Sequence, residues 1–258
     1  MTSITPLRLF IIGGHGRVAL RVTSQALARG HTVFSQIRQK EHASDLPAKT
    51  TPIHVSLEDA SVSSLAHLFK QHDPHVILFL AGAGGKGGPE RTKAVDELGA
   101  IKVFDAIEKS GLAERTDTFR RLLLCSAVDS RDIENTKPDW YGAEDFETSQ
   151  RMRKVLGPYM EAKHKADANL AQRKTFPWFV LRPSTLADEA GTDKVSLGER
   201  KTISRPVPRD DVAATFVALA ELPRGEGDGL MNDLTAGDVS VAEAVEGAVR
   251  RKRTDWLG

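Results

Sequence analysis

The sequence is poor in cysteine, with one among 258 residues, and poor in large rings, with two tyrosines and three tryptophans. A lone Cys125 can form no intramolecular disulfide and no multi-cysteine zinc site, so the expectation is a cytoplasmic protein held by its core rather than by cross-links. Neither sign of charge dominates: 36 Lys and Arg face 35 Asp and Glu, a net charge of +1. Nucleic-acid binders need a concentrated basic surface, so that class of partner is excluded. No apolar run reaches the roughly 20 residues of a membrane helix. The opening MTSITPLRLF runs straight into a strand pattern and leaves no room for a signal peptide.

What the chain does have is alternation. LRLFII (7–12) is short, apolar and β-favourable, and Gly13-Gly14-His15-Gly16 follows at once. The next stretch spaces Val18, Val22 and Leu27 as a helix does, Gly30 closes it, and HTVFSQIR (31–38) is a second strand. This is a βαβ unit. The pattern continues through strand 53–56, helix 61–71, strand 75–81, helix 91–109, strand 121–126, helix 158–172 and strand 178–182. DDVAATFVALAEL and VAEAVEGAVRRKR are two further helices near the C-terminus. Repeated βα units with right-handed crossovers predict an α/β fold: a three-layer, doubly wound parallel sheet of Rossmann type, one domain over 1–258 with a small C-terminal embellishment. Residues 127–157 and 183–205 read as irregular insertions at the carboxyl edge of the sheet, where ligands bind. They are the expected substrate walls.

Gly13, Gly16 and Ala19 stand at the spacing G-x-x-G-x-x-A. The first glycine permits a tight turn, the second lets backbone N–H groups approach a pyrophosphate, and a small third residue packs helix against strand. The helix N-terminus adds partial positive charge. Candidate cofactor contacts are therefore Gly13, Gly14, His15, Gly16, Arg17 and Val18. An acidic residue at the end of the second strand would hold the ribose hydroxyls of NAD, but Arg38 stands there, a fork suited to the 2′-phosphate of NADP, with Arg17 in support. NADP is thus favoured over NAD. Asp59 suits either the adenine amino group or a helix N-cap. The glycine-rich end of the fourth strand, Ala81, Gly82 and Ala83, would lie beside the cofactor. The run to Gly88 lacks the Gly-Lys-Ser/Thr of a P-loop.

Tyr159 and Lys163 are four apart in a helical stretch and share a face. An ammonium there would lower the phenol pKa and also reach a ribose. Ser126, ending the fifth strand, would hold a substrate carbonyl next to the tyrosine.

IIGGHGRVA, VDELGAIKVFDAIEKSG, RRLLLCSA, YMEAKHKAD, FVLRPSTLAD and ISR followed by RDDVA together resemble the short-chain dehydrogenase/reductase superfamily, in its atypical NmrA-like branch. The resemblance spans residues 7 to about 240. It implies NADP binding by Gly13, Gly14, Gly16 and Arg38. Ser126, Tyr159 and Lys163 would match the catalytic Ser, Tyr and Lys, with Arg182 and Pro183 beside the nicotinamide. The implied activity is NADP-dependent hydride transfer with a small carbonyl or alcohol. The branch also includes NADP-binding redox sensors, and epimerases or dehydratases use the same residues. Oligomeric state is not readable from the sequence.

Other features have plainer readings. His67, His72 and His75 span a helix end at Asp73-Pro74 and imply no metal site. Arg250-Arg251-Lys252-Arg253 caps a terminal helix. Trp140 and Tyr141 either face substrate or anchor their loop.

Overall fold

Strands β1 (Arg8–Ile12), β4 (Val76–Phe79), β5 (Arg121–Cys125) and β6 (Trp178–Pro183) carry almost unbroken apolar runs because both of their faces are covered. The computed structural model describes residues 5–84 and 87–258. With β2 (Thr32–Ile37), β3 (Thr51–His54) and β10 (Leu230–Ala236), these strands form seven parallel members of a nine-stranded sheet. The order is β11-β8-β10-β6-β5-β4-β1-β2-β3. Here β8 (Lys194–Leu197) and β11 (Val239–Ser240) add an antiparallel edge, while β7 (Leu186–Ala187) and β9 (Val207–Pro208) pair separately. The sheet is doubly wound, as the sequence predicts.

Alternate side chains of each strand enter opposite cores. Leu9, Ile11, Leu78 and Leu123 pack under α1 (Arg17–Ala28), α6 (Arg209–Glu221) and α7 (Val241–Arg251). Phe10, Ile12, Phe79 and Leu124 pack under α2 (Val62–His72), α4 (Leu98–Ser110) and α5 (Ala143–Ala171). A short α3 (Gly88–Thr92) leads into a π-helical turn, Lys93–Glu97, before α4. Among the described residues no helix is long and apolar enough to cross a membrane.

The insertions differ from the expectation. Residues 127–157 are not irregular throughout: from Ala143 they are helical and run into the Tyr159 helix with a kink at Leu156, two residues before Pro158. Proline's missing N–H and its clash with the preceding turn account for the kink. The 183–205 segment contributes β7 and β8. The two insertions share a small core of Val128, Tyr141 and Ile203, with Trp140, Phe146 and Met152 packed on it. Asp145 pins them together: its Oδ1 accepts from Thr202 Oγ1 (2.6 Å), Ile203 N (3.0 Å) and Ser204 Oγ (2.9 Å). Tyr141 is buried and donates to Asp129 at 3.2 Å, and Arg200 lies 4.2 Å over Trp140, so both rings anchor the loop.

Candidate active site

The turn after β1 is shaped by what cannot fit in it. Gly13 has φ +82°, and a Cβ there would stand 2.5 Å from Ala81 Cα. At Gly14 a Cβ would meet Ser35 Oγ at 1.9 Å. Gly16 is the N-cap of α1 and offers no side chain, so the first-turn N–H groups stay open to an anion. Ala19 is fully buried, the small residue that lets α1 sit on the sheet. Gln36 fixes this turn from the neighbouring strand. Its Oε1 accepts from Gly13 N at 2.8 Å, its Nε2 donates to Val55 O, and its backbone carbonyl accepts from Gly14 N at 2.7 Å. Nothing in the sequence singled out Gln36, because its role depends on β1 and β2 lying side by side.

A cavity of about 240 Å³ opens above the turn, lined by Gly13, His15, Gly16, Ala81 and Gly82 together with Ile37, Arg38, His42, Leu57, Glu58 and Arg91. Glu58 Oε1 accepts from Arg91 Nε and Nη2 at 3.2 and 3.1 Å and lies 3.4 Å from Arg38 Nη1. The open helix N-terminus, the close glycine backbone and this arginine-lined wall fit a dinucleotide.

Several expected contacts lie elsewhere. Arg17 is turned away to pair with Asp188, which also binds Arg209 at 2.5 Å. Asp59 is exposed and off the cavity. Its neighbour Glu58 faces in, and Ser61, not Asp59, caps α2. Val18 packs against the core beneath the turn. Gly14 is packed against the Ser35 side chain and the Gln36 backbone carbonyl and is not among the residues lining the cavity. Ala83 N–H is taken by Asp96 Oδ2 at 2.9 Å. Arg182 is buried on β6, opposite Asp233 of β10 with its Nε 3.0 Å from Asp233 Oδ1, and Pro183 ends β6 with its carbonyl accepting from Val128 N at 3.1 Å. Burial, with Asp255 and Asp129 adding to it against Arg182, pushes Asp233 up to about 7. Gly85 and Lys86 of the glycine-rich run lie outside the described residues.

Tyr159 and Lys163 do share a face of α5, with Nζ 5.6 Å from the ring centroid. Nζ donates to Cys125 O at 3.0 Å and pairs with buried Asp96 Oδ1 at 3.1 Å. Burial pulls Lys163 down, but Asp96, with smaller contributions from Tyr159 and Cys125, outweighs it and holds the ammonium above its ordinary value. Burial pushes Tyr159 up to about 12, with the Lys163 cation opposing it. The phenol is therefore not depressed as the spacing suggested, because burial outweighs the Lys163 cation. Asp96 sits in the π-helical turn, against Gly82 and Ala83, and so ties the strand end to the lysine. Sequence reading missed it, although an inserted π turn is a recurrent mark of functional sites.

Ser126 is buried, and its Oγ donates to Asp167 Oδ2 at 2.7 Å. Ser130 Oγ does the same at 2.7 Å. Burial raises the Asp167 carboxyl, and Arg182, the two serines and Lys163 pull the other way. Among the described residues no hydrogen bond joins Ser126 to Tyr159. With its proton held by Asp167, the Ser126 hydroxyl offers lone pairs rather than a donor, contrary to its expected role of holding a carbonyl.

The histidine cluster is structural. His75 Nδ1 accepts from Arg8 N at 2.9 Å, and His72 packs on Phe34 at 4.5 Å. Among the described residues no group of His, Cys, Asp and Glu could hold a metal. Cys125 is partly buried against the core, and burial pushes its thiol up to about 11.

A model of NAD(P)H-binding proteins matches residues 13–223. A UPF0659 protein of Schizosaccharomyces pombe is 39% identical over 95% of this chain and 96% of its own length. An uncharacterized sugar epimerase of Bacillus subtilis is 29% identical over 93% of this chain and 99% of its own. Among solved structures, an oxidoreductase of Lactococcus lactis superposes with a TM-score of 0.75 at 23% identity, over 96% of this chain and 99% of that one, a likeness of fold.

Proposed function

This chain belongs to the NAD(P)H-binding family, and from that premise we propose that it is an NADP-dependent oxidoreductase acting on a small carbonyl or alcohol. The observation that carries the reading is the placement of Tyr159 and Lys163. They stand on one face of α5 at the carboxyl end of β5, and Asp96 links the lysine to the Gly82–Ala83 edge of the glycine-lined cavity. Preference for NADP rests on Arg38 in the cavity wall and on the lack of a carboxylate at the end of β2.

The nicotinamide, when bound, supplies the hydride chemistry. Gly13, Gly14 and Gly16 shape the turn that holds the pyrophosphate, and Arg38 takes the 2′-phosphate. Tyr159 remains protonated at neutral pH, because burial holds its phenol near 12, so it can give its proton to the oxygen of a carbonyl that is being reduced. Lys163, fixed by Asp96 and the Cys125 carbonyl, stabilises the phenolate that results. Solvent returns the proton. Ser126 accepts a hydrogen bond from a donor on the ligand, such as an amide or hydroxyl.

A Tyr159→Phe variant should bind NADPH as the wild type does and oxidise it with no carbonyl. Full activity in that variant refutes the assignment. A wild type that binds NADPH but oxidises it with no member of a broad carbonyl panel refutes the oxidoreductase reading in favour of a sensor. The Bacillus subtilis relative supports one other reading, epimerase chemistry with a tightly held dinucleotide. Cofactor retained through purification, without net redox change on sugar substrates, would identify it.

A further inference from the structure

The lining of the cavity includes a pair of histidines that take no part in the proposed hydride transfer. His15 projects from the turn, and His42 from a short 3₁₀ segment, Lys40–Asp45, that follows β2. Their rings are stacked, with centroids 3.8 Å apart and planes 6° from parallel. Asp45 Oδ2 accepts a hydrogen bond from His15 Nε2 at 2.8 Å. His42 Nδ1 is enclosed and finds no partner among the described residues. Both rings line the same cavity as Arg38.

We infer that the His15–His42 stack is a proton-dependent part of the 2′-phosphate subsite, so that the protein's preference for NADP over NAD increases as pH falls. The inference rests on the NADP reading above and adds to it the residues that set the preference. Two stacked imidazoles resist being charged together. His15 Nε2 is engaged by Asp45, which leaves His42, with its unpartnered Nδ1, as the ring able to respond to a ligand. Burial does most to hold His42 below the ordinary histidine value; His15 in the turn and Arg38 at the end of β2 also oppose its protonation, while Asp45 and Glu41 in its own segment favour it. Glu58, in the same cavity lining, pairs with Arg91 and Arg38. A phosphate monoester carries close to two negative charges near neutral pH. Placed beside Arg38, it reverses that balance and draws a proton onto His42. Binding is therefore coupled to proton uptake, and lower pH strengthens it. NAD has no such phosphate and gains nothing.

The test is calorimetric titration of NADP+ and of NAD+ into the wild-type chain and a His42→Phe variant, at about pH 8 and about pH 6. Phenylalanine keeps a ring against His15 but cannot take a proton. It also reports the background, because the phosphate's own protonation near pH 6 works against binding in both proteins. In the wild type the ratio of NADP+ to NAD+ affinity should rise about fivefold between the two conditions, the scale of one added charge-assisted contact at a partly exposed site. In His42→Phe the ratio should stay flat or fall over the same interval. His42→Gln, which lacks the ring, should behave likewise. A wild-type ratio that does not change with pH, or the same rise in both variants, overturns the inference and leaves the NADP reading standing. Binding of NAD+ alone overturns the NADP preference and the inference with it. Binding of neither dinucleotide overturns the cofactor reading itself.

Discussion

Asp96→Asn is the most informative single substitution. Asp96 and Lys163 are both almost completely buried, with Nζ and Oδ1 3.1 Å apart. At that separation an effective dielectric of about 20 gives a gross attraction of about 5 kcal/mol. Asparagine keeps an oxygen that can accept from Ala83 N, so the strand-end contact survives. What it removes is the countercharge, leaving a buried ammonium with only the Cys125 carbonyl. Loss of one partner from a buried pair costs about 3 kcal/mol after relaxation. For a domain of this size that corresponds to a drop in Tm of roughly 6 to 12 °C. The sign with pH follows from Lys163. Its folded pKa is raised, so its share of stability is complete at neutral pH and is lost only as pH rises through that raised value. Thermal and urea unfolding at pH 7 should show the loss in Asp96→Asn, and Asp96→Asn combined with Lys163→Met should recover most of it, because no uncompensated charge remains. A Tm within about 2 °C of wild type, or a double variant no more stable than the single one, refutes the reasoning.

Three further outcomes follow from the geometry. Gly13→Ala should lose NADP binding by more than about 100-fold and lower stability, since its Cβ would strike the Ala81 backbone from a left-handed conformation; calorimetry and melting curves check both. Arg38→Ala should lower the NADP+ to NAD+ affinity ratio about tenfold or more while sparing NAD+, in competitive titrations. Asp145→Ala should free the two insertions from each other at a cost of about 1 to 3 kcal/mol, with new proteolytic cuts between residues 143 and 156 or 199 and 205. Burial pushes the Asp145 carboxyl up, but the bonds from Thr202, Ile203 and Ser204 outweigh this and hold it low. The clasp should therefore persist above the ordinary carboxylate range and open as pH falls through the lowered value, which wild-type proteolysis against pH would follow.

The parts of this protein that rest on local pattern are legible in the chain alone. Apolar strand runs, helical spacing and a glycine turn between strand and helix specify the βαβ unit and its repeats. Tyr159 and Lys163 fall on one face because a helix places residues four apart together. Period and steric tolerance are properties of a few adjacent residues, so they can be read without a partner. Tertiary structure alone decided what each charge faces. Arg17 and Arg38 look alike in the chain, yet one pairs with Asp188 far along it and the other lines the cavity beside Glu58. Arg182 is drawn into the sheet by Asp233 on a strand that joins late. Ser126 donates its hydrogen bond to Asp167, and Lys163 lies between Tyr159 and Asp96. These outcomes depend on which strands become neighbours and on how far burial strips water from each group, and neither is encoded in spacing along the chain.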